Sequence, residues 1–405
     1  MAVTFARGWR AGAAACGIKA FTAGAAAMPS GQRDDLCVVY SDLPCDAAGV
    51  FTTNRVKSAS VVIDQLHLKQ NRVRAFVVNS GNANACTGAQ GYKDALRMAK
   101  MTADKLDLDP PQVIVSSTGV IGRFLPMDAI KVGIGEACSA LSEDGGEKAA
   151  RAIMTTDTVP KTASAIVEIA GFGVRVGGMT KGSGMIHPNL ATMLAYVTTD
   201  AAVEPGLLSS MVRRIADRSF NQVTVDGDSS TNDSFLVFAN GAAGNPAITA
   251  GSDEAAQLEA AITEVARELS RSIARDGEGA TKLITVSING AVHDADARLL
   301  ARAVASSSLV KTAIHGGDPN WGRIVCALGY SGADLAIDRL TLNIGGLTVF
   351  TAGAGVNVDL DTVRLAFEKP EIEIAAEIGL GDGTAEAWGC DLSEEYVRIN
   401  ADYTT

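Results

Sequence analysis

The chain has 405 residues, 47% of them hydrophobic and 5% aromatic, and its 46 Asp and Glu against 35 Lys and Arg give a net charge of -11. That length is long for one hydrophobic core and points to two or more packed lobes. The acid excess, with no cluster of Lys and Arg, excludes a surface built to neutralise nucleic-acid phosphates. No uninterrupted apolar run approaches the ~18 residues of a spanning helix. Seven scattered cysteines without a C-x-x-C pair read as reduced, mostly packed thiols of a cytoplasmic protein.

In chain order, residues 1–28 are alanine-rich, contain arginine and lack acidic residues, a composition shared with transit peptides. Residues 8–20 nevertheless read as a first strand region. Residues 73–79 (VRAFVVN) are a strand ending in a Gly/Asn/Ala loop at 80–91, and 92–108 carry Ala95, Leu96, Ala99 and Leu106 at helical spacing. Val113 to Val115 is a strand-like run that opens into Ser116-Ser117-Thr118-Gly119, on its own terms an ordinary strand-to-helix turn. Amphipathic helices are expected at 127–141, 206–220, 253–273, with Ser252 as N-cap, and 294–304. From Leu283 the texture changes. Residues 283–288 alternate, 340–350 look like a hairpin around Gly345-Gly346, and 372–392 like another around Gly381-Asp382-Gly383. The expected division is a core of 1–282 and a second α/β lobe of 283–405.

Between two of these elements lies KGSGMIHPNLATMLAYVTT, residues 181–199. Gly182 and Gly184 let the backbone approach a ligand closely, and residues 193–197 form an apolar run suited to a buried strand. A break between Ala191 and Thr192 would give Thr192 a free α-amine beside its own hydroxyl, a nucleophile with a built-in base. Such an amine titrates near ~7.7–8.0, so no histidine is required. Periodicity alone does not single out this threonine.

Residues 181–194 resemble the signature of the ornithine acetyltransferase family, the self-cleaving glutamate N-acetyltransferases of arginine biosynthesis known as ArgJ. The resemblance runs from Gly8-Trp9-Arg10-Ala11-Gly12 to Ile399-Asn400-Ala401-Asp402-Tyr403-Thr404-Thr405. A family-like start at Gly8 leaves no room for a cleavable leader.

The resemblance implies Thr192 as nucleophile, Thr118 and Gly119 as the oxyanion hole, and Thr155, Lys181, Thr192, Glu278, Asn400 and Thr405 as substrate-binding residues. The set suits amino-acid substrates, since Lys181 can pair with a carboxylate and Glu278 with an ammonium. Taken singly, Lys181 and Glu278 would read as solvated loop charges and Asn400 and Thr405 as a frayed tail. The implied reaction begins with cleavage between Ala191 and Thr192 into chains 1–191 and 192–405. Acetyl then passes from N-acetylornithine to Thr192 and on to glutamate, with ping-pong kinetics. No metal or prosthetic group is implied, and use of acetyl-CoA as a second donor is left open. The implied fold is the DmpA/ArgJ-type four-layer αββα core with a smaller C-terminal lobe, assembled as an α2β2 heterotetramer with no nucleic-acid or membrane partner. The alternatives are an amidase or aminopeptidase with an N-terminal threonine, which would give product to water, and a non-catalytic amino-acid-binding protein.

Two polar loops, 226–233 and 315–323, fit either cleft walls or turn scaffolding. The four histidines lack metal spacing, and His187, nearest the signature, reads as a core or surface residue.

Overall fold

The computed structural model describes residues 2–19, 33–70, 72–187 and 193–402. The first sheet is built from β1 (Trp9–Ala14), β2 (Leu36–Phe51), β3 (Val73–Asn82), β4 (Val113–Val120), β5 (Lys161–Ile169), β6 (Phe172–Lys181), β7 (Leu194–Thr199) and β8 (Ser234–Ala239). Its order is β4-β3-β2-β8-β7-β6-β5, with β1 on β2. Strand β2 is long enough to serve two surfaces. Its first half pairs with β1 and β3, and its second half, from Asp46, pairs with β8 after a register shift between Tyr40 and Cys45.

Strict alternation of buried side chains shows that the two parts face each other. On β3, Phe76 and Val78 point into the same core as Leu236 and Phe238 of β8 and Tyr196 of β7. Phe76 stacks on Tyr196 with ring centroids 4.5 Å apart and on Phe238 at 5.3 Å. Truncating such a fully buried ring costs about 3–5 kcal/mol. The intervening residues Ala75 and Val77 face outward onto helices α2 (Gly88–Leu106) and α3 (Met127–Ser139), while Val197, Phe235 and Val237 face α5 (Leu207–Asp217) and α6 (Asp253–Arg275). Helices α1 (Ala59–His67) and α4 (Gly146–Ala152) complete this part. The result is a four-layer αββα core.

A second sheet begins at β9 (Leu283–Ala291) and includes β10 (Thr341–Ile344), β11 (Leu347–Thr351), β12 (Ala354–Gly355), β13 (Glu371–Glu377) and β14 (Gly383–Cys390), in the order β12-β11-β10-β13-β9-β14. Around it lie helices α7 (Asp294–Ser306), α8 (Ser308–His315), α9 (Trp321–Gly329) and α10 (Leu360–Phe367), and α11 (Glu394–Asp402) follows β14. Leu283, Trp388 and Cys390 belong to the core under α5 and α6, so the two sheets share apolar contacts.

The hairpin at Gly345-Gly346 forms, with Ile344 opposite Leu347. The one expected at 372–392 does not. Strand β13 lies parallel to one side of β9 and β14 antiparallel to the other. The connection instead crosses the end of β9, where Ile378 N donates to Asn289 O at 2.9 Å and Leu380 N to Gly290 O at 2.7 Å. A second difference concerns 116–119, which is no turn. Strand β4 runs on to Val120, paired in parallel with β3 as far as Gly119 opposite Gly81. Likewise β3 extends to Asn82 and α2 begins at Gly88, shortening the expected 80–91 loop.

Ser252 caps α6, its hydroxyl accepting from Ala255 N at 3.1 Å. All seven cysteines are free thiols, with Cys86 and Cys326 exposed. Among the described residues no helix is long and apolar enough to cross a membrane.

Candidate active site

A cleft opens where β4 and β6 end and β8 begins, roofed by α11. Thr118, Gly119, Thr155, Lys181, Glu278 and Asn400 all line it. These positions lie far apart in sequence, so the fold alone brings them together.

One wall is the end of β4. Gly119 has φ of +129°, and a Cβ there would sit 2.2 Å from the carbonyl carbon of Gly81, so only glycine fits against β3. Buried asparagines hold this strand end. Ser117 Oγ donates to Asn79 Oδ1 at 2.7 Å, and Asn232 Nδ2 donates to the carbonyls of Ser117 and Ala83, both at 2.7 Å. Asn232 thereby fastens the start of β8 to the ends of β3 and β4.

The floor carries Lys181, the last residue of β6, only 4% exposed. Burial lowers its proton affinity, opposed chiefly by the carboxylate of Asp157 and further by Glu278 and Asp233, while Lys161 adds to the lowering. Asp157 is buried too, which alone would raise it. The cations of Lys161 and Lys181 outweigh that and hold it well below the usual carboxylate range.

The opposite wall is acidic. Asn400 Nδ2 of α11 donates to Glu278 Oε2 at 2.8 Å. Asp226 lines the cleft and accepts from Met185 N at 2.5 Å and Ile186 N at 2.9 Å, and Tyr396 OH donates to it at 3.3 Å. Burial raises the Asp226 carboxyl despite these donors. Met185 holds a left-handed φ of +56°, a conformation that the two bonds to Asp226 stabilise.

Ala191, Thr192 and Thr405 lie outside the described residues. Met193, which follows Thr192 in sequence, accepts from Ser234 N at 3.0 Å, and the next residue, Leu194, is paired with Lys181. Of the two polar loops, 226–233 contributes Asp226, Asp228, Ser230, Thr231 and Asn232 to the cleft. The loop 315–323 contributes none. His315 instead bonds Asp391 Oδ2 through Nδ1 at 2.7 Å, and His187 Nδ1 lies 3.3 Å from Thr224 Oγ1. Sequence reasoning passed over Asp157 and Tyr396, and reached Asp226 and Asn232 only as members of the 226–233 loop.

A four-layer αββα core with a cleft of mixed charge at its strand ends suits the binding of a small polar molecule. The chain belongs to the ArgJ family: the ArgJ family model matches residues 10–405. It is 50% identical over 400 residues to the "Arginine biosynthesis bifunctional protein ArgJ" of Symbiobacterium thermophilum, covering 98% of this chain and 100% of that one. Identity to the protein of the same name from Dehalococcoides mccartyi is 48% over 403 residues, covering 100% and 97%. Among solved structures, the ArgJ bifunctional protein of Bacillus halodurans is similar at 41% identity and a TM-score of 0.50, over 51% of this chain and 98% of that one.

Proposed function

We propose that this chain moves acetyl from N-acetylornithine to glutamate through an acetyl-Thr192 intermediate, after cutting itself between Ala191 and Thr192. It is an acetyltransferase of the ArgJ family, and the observation that carries the finer reading is the gathering of Thr118, Gly119, Thr155, Lys181, Glu278 and Asn400 around one cleft.

Acyl transfer needs a nucleophile, donors at the developing oxyanion and groups that hold the reactants in register. Thr192 supplies the nucleophile. Its hydroxyl attacks the Ala191 carbonyl carbon, the peptide nitrogen leaves as the α-amine of Thr192, and water hydrolyses the resulting ester. That amine next takes the hydroxyl proton as Thr192 attacks the acetyl carbon of the donor, while Thr118 and Gly119 hold the oxyanion. Ornithine leaves, and the amine of glutamate takes the acetyl group. Lys181 pairs with the substrate carboxylate and Glu278, steadied by Asn400, with the ammonium.

Support for cleavage comes from the half-length chain of the Bacillus halodurans structure, matched over 98% of itself but only 51% of this chain. Chains 1–191 and 192–405 would each be about half of the whole. On the same reading the enzyme needs no metal or prosthetic group, assembles as α2β2 and works in the cytoplasm.

The test is an intact-mass spectrum of purified protein, followed by an acetyl-transfer assay with N-acetylornithine and glutamate. Two species split at residue 191, and transfer that disappears in Thr192→Ala together with the cleavage, are the expected results. A persistent single species, or acetate released to water in place of N-acetylglutamate, overturns the proposal.

A further inference from the structure

Beneath the cleft lies a buried ionic knot. Asp157 has a side chain with no exposure, and each of its oxygens accepts from a different wall. Oδ2 takes the backbone N–H of Thr155 at 3.0 Å, and Oδ1 takes the N–H of Gly182 and the Lys161 ammonium, both at 2.7 Å. Lys161, itself 1% exposed, also bonds Asp276. Asp276 accepts from Thr158 N at 3.0 Å, and its own carbonyl accepts from Ser183 Oγ at 2.6 Å. Finally, Glu278 N donates to Ser183 O at 2.9 Å. Asp157 thus ties the segments that present Thr155 and Lys181 directly, and reaches the Glu278 segment through Lys161 and Asp276.

We propose that Asp157 is a positioning residue for the transfer reaction, fixing the backbone on both sides of the cleft floor and supplying the charge that keeps Lys181 a cation facing the substrate carboxylate. The inference rests on the reading of Lys181 as partner of that carboxylate.

The geometry sets the demand. A carboxylate has acceptor capacity on both oxygens, whereas an amide in the same place accepts on one and would turn its NH₂ toward an N–H donor. No neutral side chain of this size satisfies Thr155 and Gly182 at once. Electrostatics adds a second demand. The titratable groups that act on Lys181 are Asp157, Lys161 at the start of β5, Glu278 across the cleft and Asp233 just before β8, whose own carboxyl is raised by burial. Burial already works against the Lys181 ammonium, and Asp157 is the strongest influence opposing it. Without that negative charge, Lys181 releases its proton at lower pH.

The test compares wild type, Asp157→Asn, Asp157→Asn/Lys161→Gln and Lys181→Ala, measuring kcat and KM for N-acetylornithine and glutamate between pH 6 and 10, with thermal melting as the check on folding. Asp157→Asn is expected to raise KM about tenfold, the loss of one charge-assisted contact, and to move the alkaline fall of kcat/KM to lower pH. The double variant removes one negative and one positive neighbour of Lys181, so its alkaline limb returns toward wild type while KM stays high. A merely structural role would lower the melting temperature and leave that limb where it was, which would overturn the proposal. So would a KM within twofold of wild type in Asp157→Asn, or in the double variant should the single one fail to fold. Lys181→Ala separates the two levels. Unchanged KM there sinks the reading of Lys181 itself, whereas raised KM there with a wild-type profile in Asp157→Asn sinks only the positioning role.

Discussion

Asn400, near the end of the last helix, donates to Glu278 Oε2 at 2.8 Å and thereby joins α11 to the loop that follows α6. The same amide donates to Tyr396 O at 3.1 Å, which keeps it on the cleft side of the helix. Replacing Asn400 with Ala is expected to raise KM for both substrates about three- to tenfold, the worth of one hydrogen bond to a charged group. Asn400→Asp should be worse, because it sets two carboxylates against each other. Steady-state kinetics on the two variants checks the order.

Gly184 leaves Glu278 its place. A Cβ at 184 would lie 2.3 Å from Oε2, and the glutamate side chain would have to swing away. Gly184→Ala should therefore fold and melt close to wild type yet lose about tenfold in kcat/KM through KM. A matching fall in melting temperature would mean that the backbone had moved instead.

At Gly119 the obstacle is backbone. The φ of +129° and the 2.2 Å approach to Gly81 leave no compliant neighbour. Gly119→Ala is expected to cost about 2–4 kcal/mol of stability, combining conformational strain with overpacking. Denaturant titration measures that cost, and a loss under 1 kcal/mol would contradict it.

Asp64 makes the pH dependence of stability testable away from the cleft. On α1, fully buried, it accepts from Val115 N through Oδ1 at 2.8 Å, while its Oδ2 has no partner among the described residues. Burial raises this carboxyl well above its ordinary value, only partly opposed by the Val115 bond. A raised folded-state value means that the folded chain holds the proton longer than the unfolded chain. Its influence on stability is absent below about pH 4 and grows unfavourable as pH rises toward the folded value. Asp64→Asn keeps the bond to Val115 and removes the charge, so its melting temperature should exceed that of wild type at pH 8 by more than at pH 5. A constant difference across that range would rule out the ionisation.

Elements with their own periodicity were legible in the sequence. Residues 193–197 announced β7, and the apolar spacing with Ser252 announced α6, because both bury a face that recurs at the period of the element. What stayed hidden depends on distant partners. The polar run 116–119 looks like a turn until Asn79 and Asn232 are seen to satisfy it inside a sheet. Gly381-Asp382-Gly383 has the same turn chemistry whether its flanking strands pair or pass either side of β9. In the cleft, Thr118, Gly119, Thr155, Lys181, Glu278 and Asn400 of the positions taken from family resemblance line one wall or another, whereas Asp157 and Asp226 act by gripping backbone from other segments. No local pattern announces such a grip.

The strand order carries a consequence for any chain severed between residues 187 and 193. Strands β7 and β8, which follow the break, lie between β2 on one side and β6 on the other, both of which precede it. The two fragments would be interleaved within one sheet, held by ladders on both flanks, and would travel as a single particle until denatured. Reassembly would then require two polypeptides to meet. Recovery after unfolding would slow on dilution and the melting temperature would rise with protein concentration, behaviour that an unbroken chain of the same fold does not show.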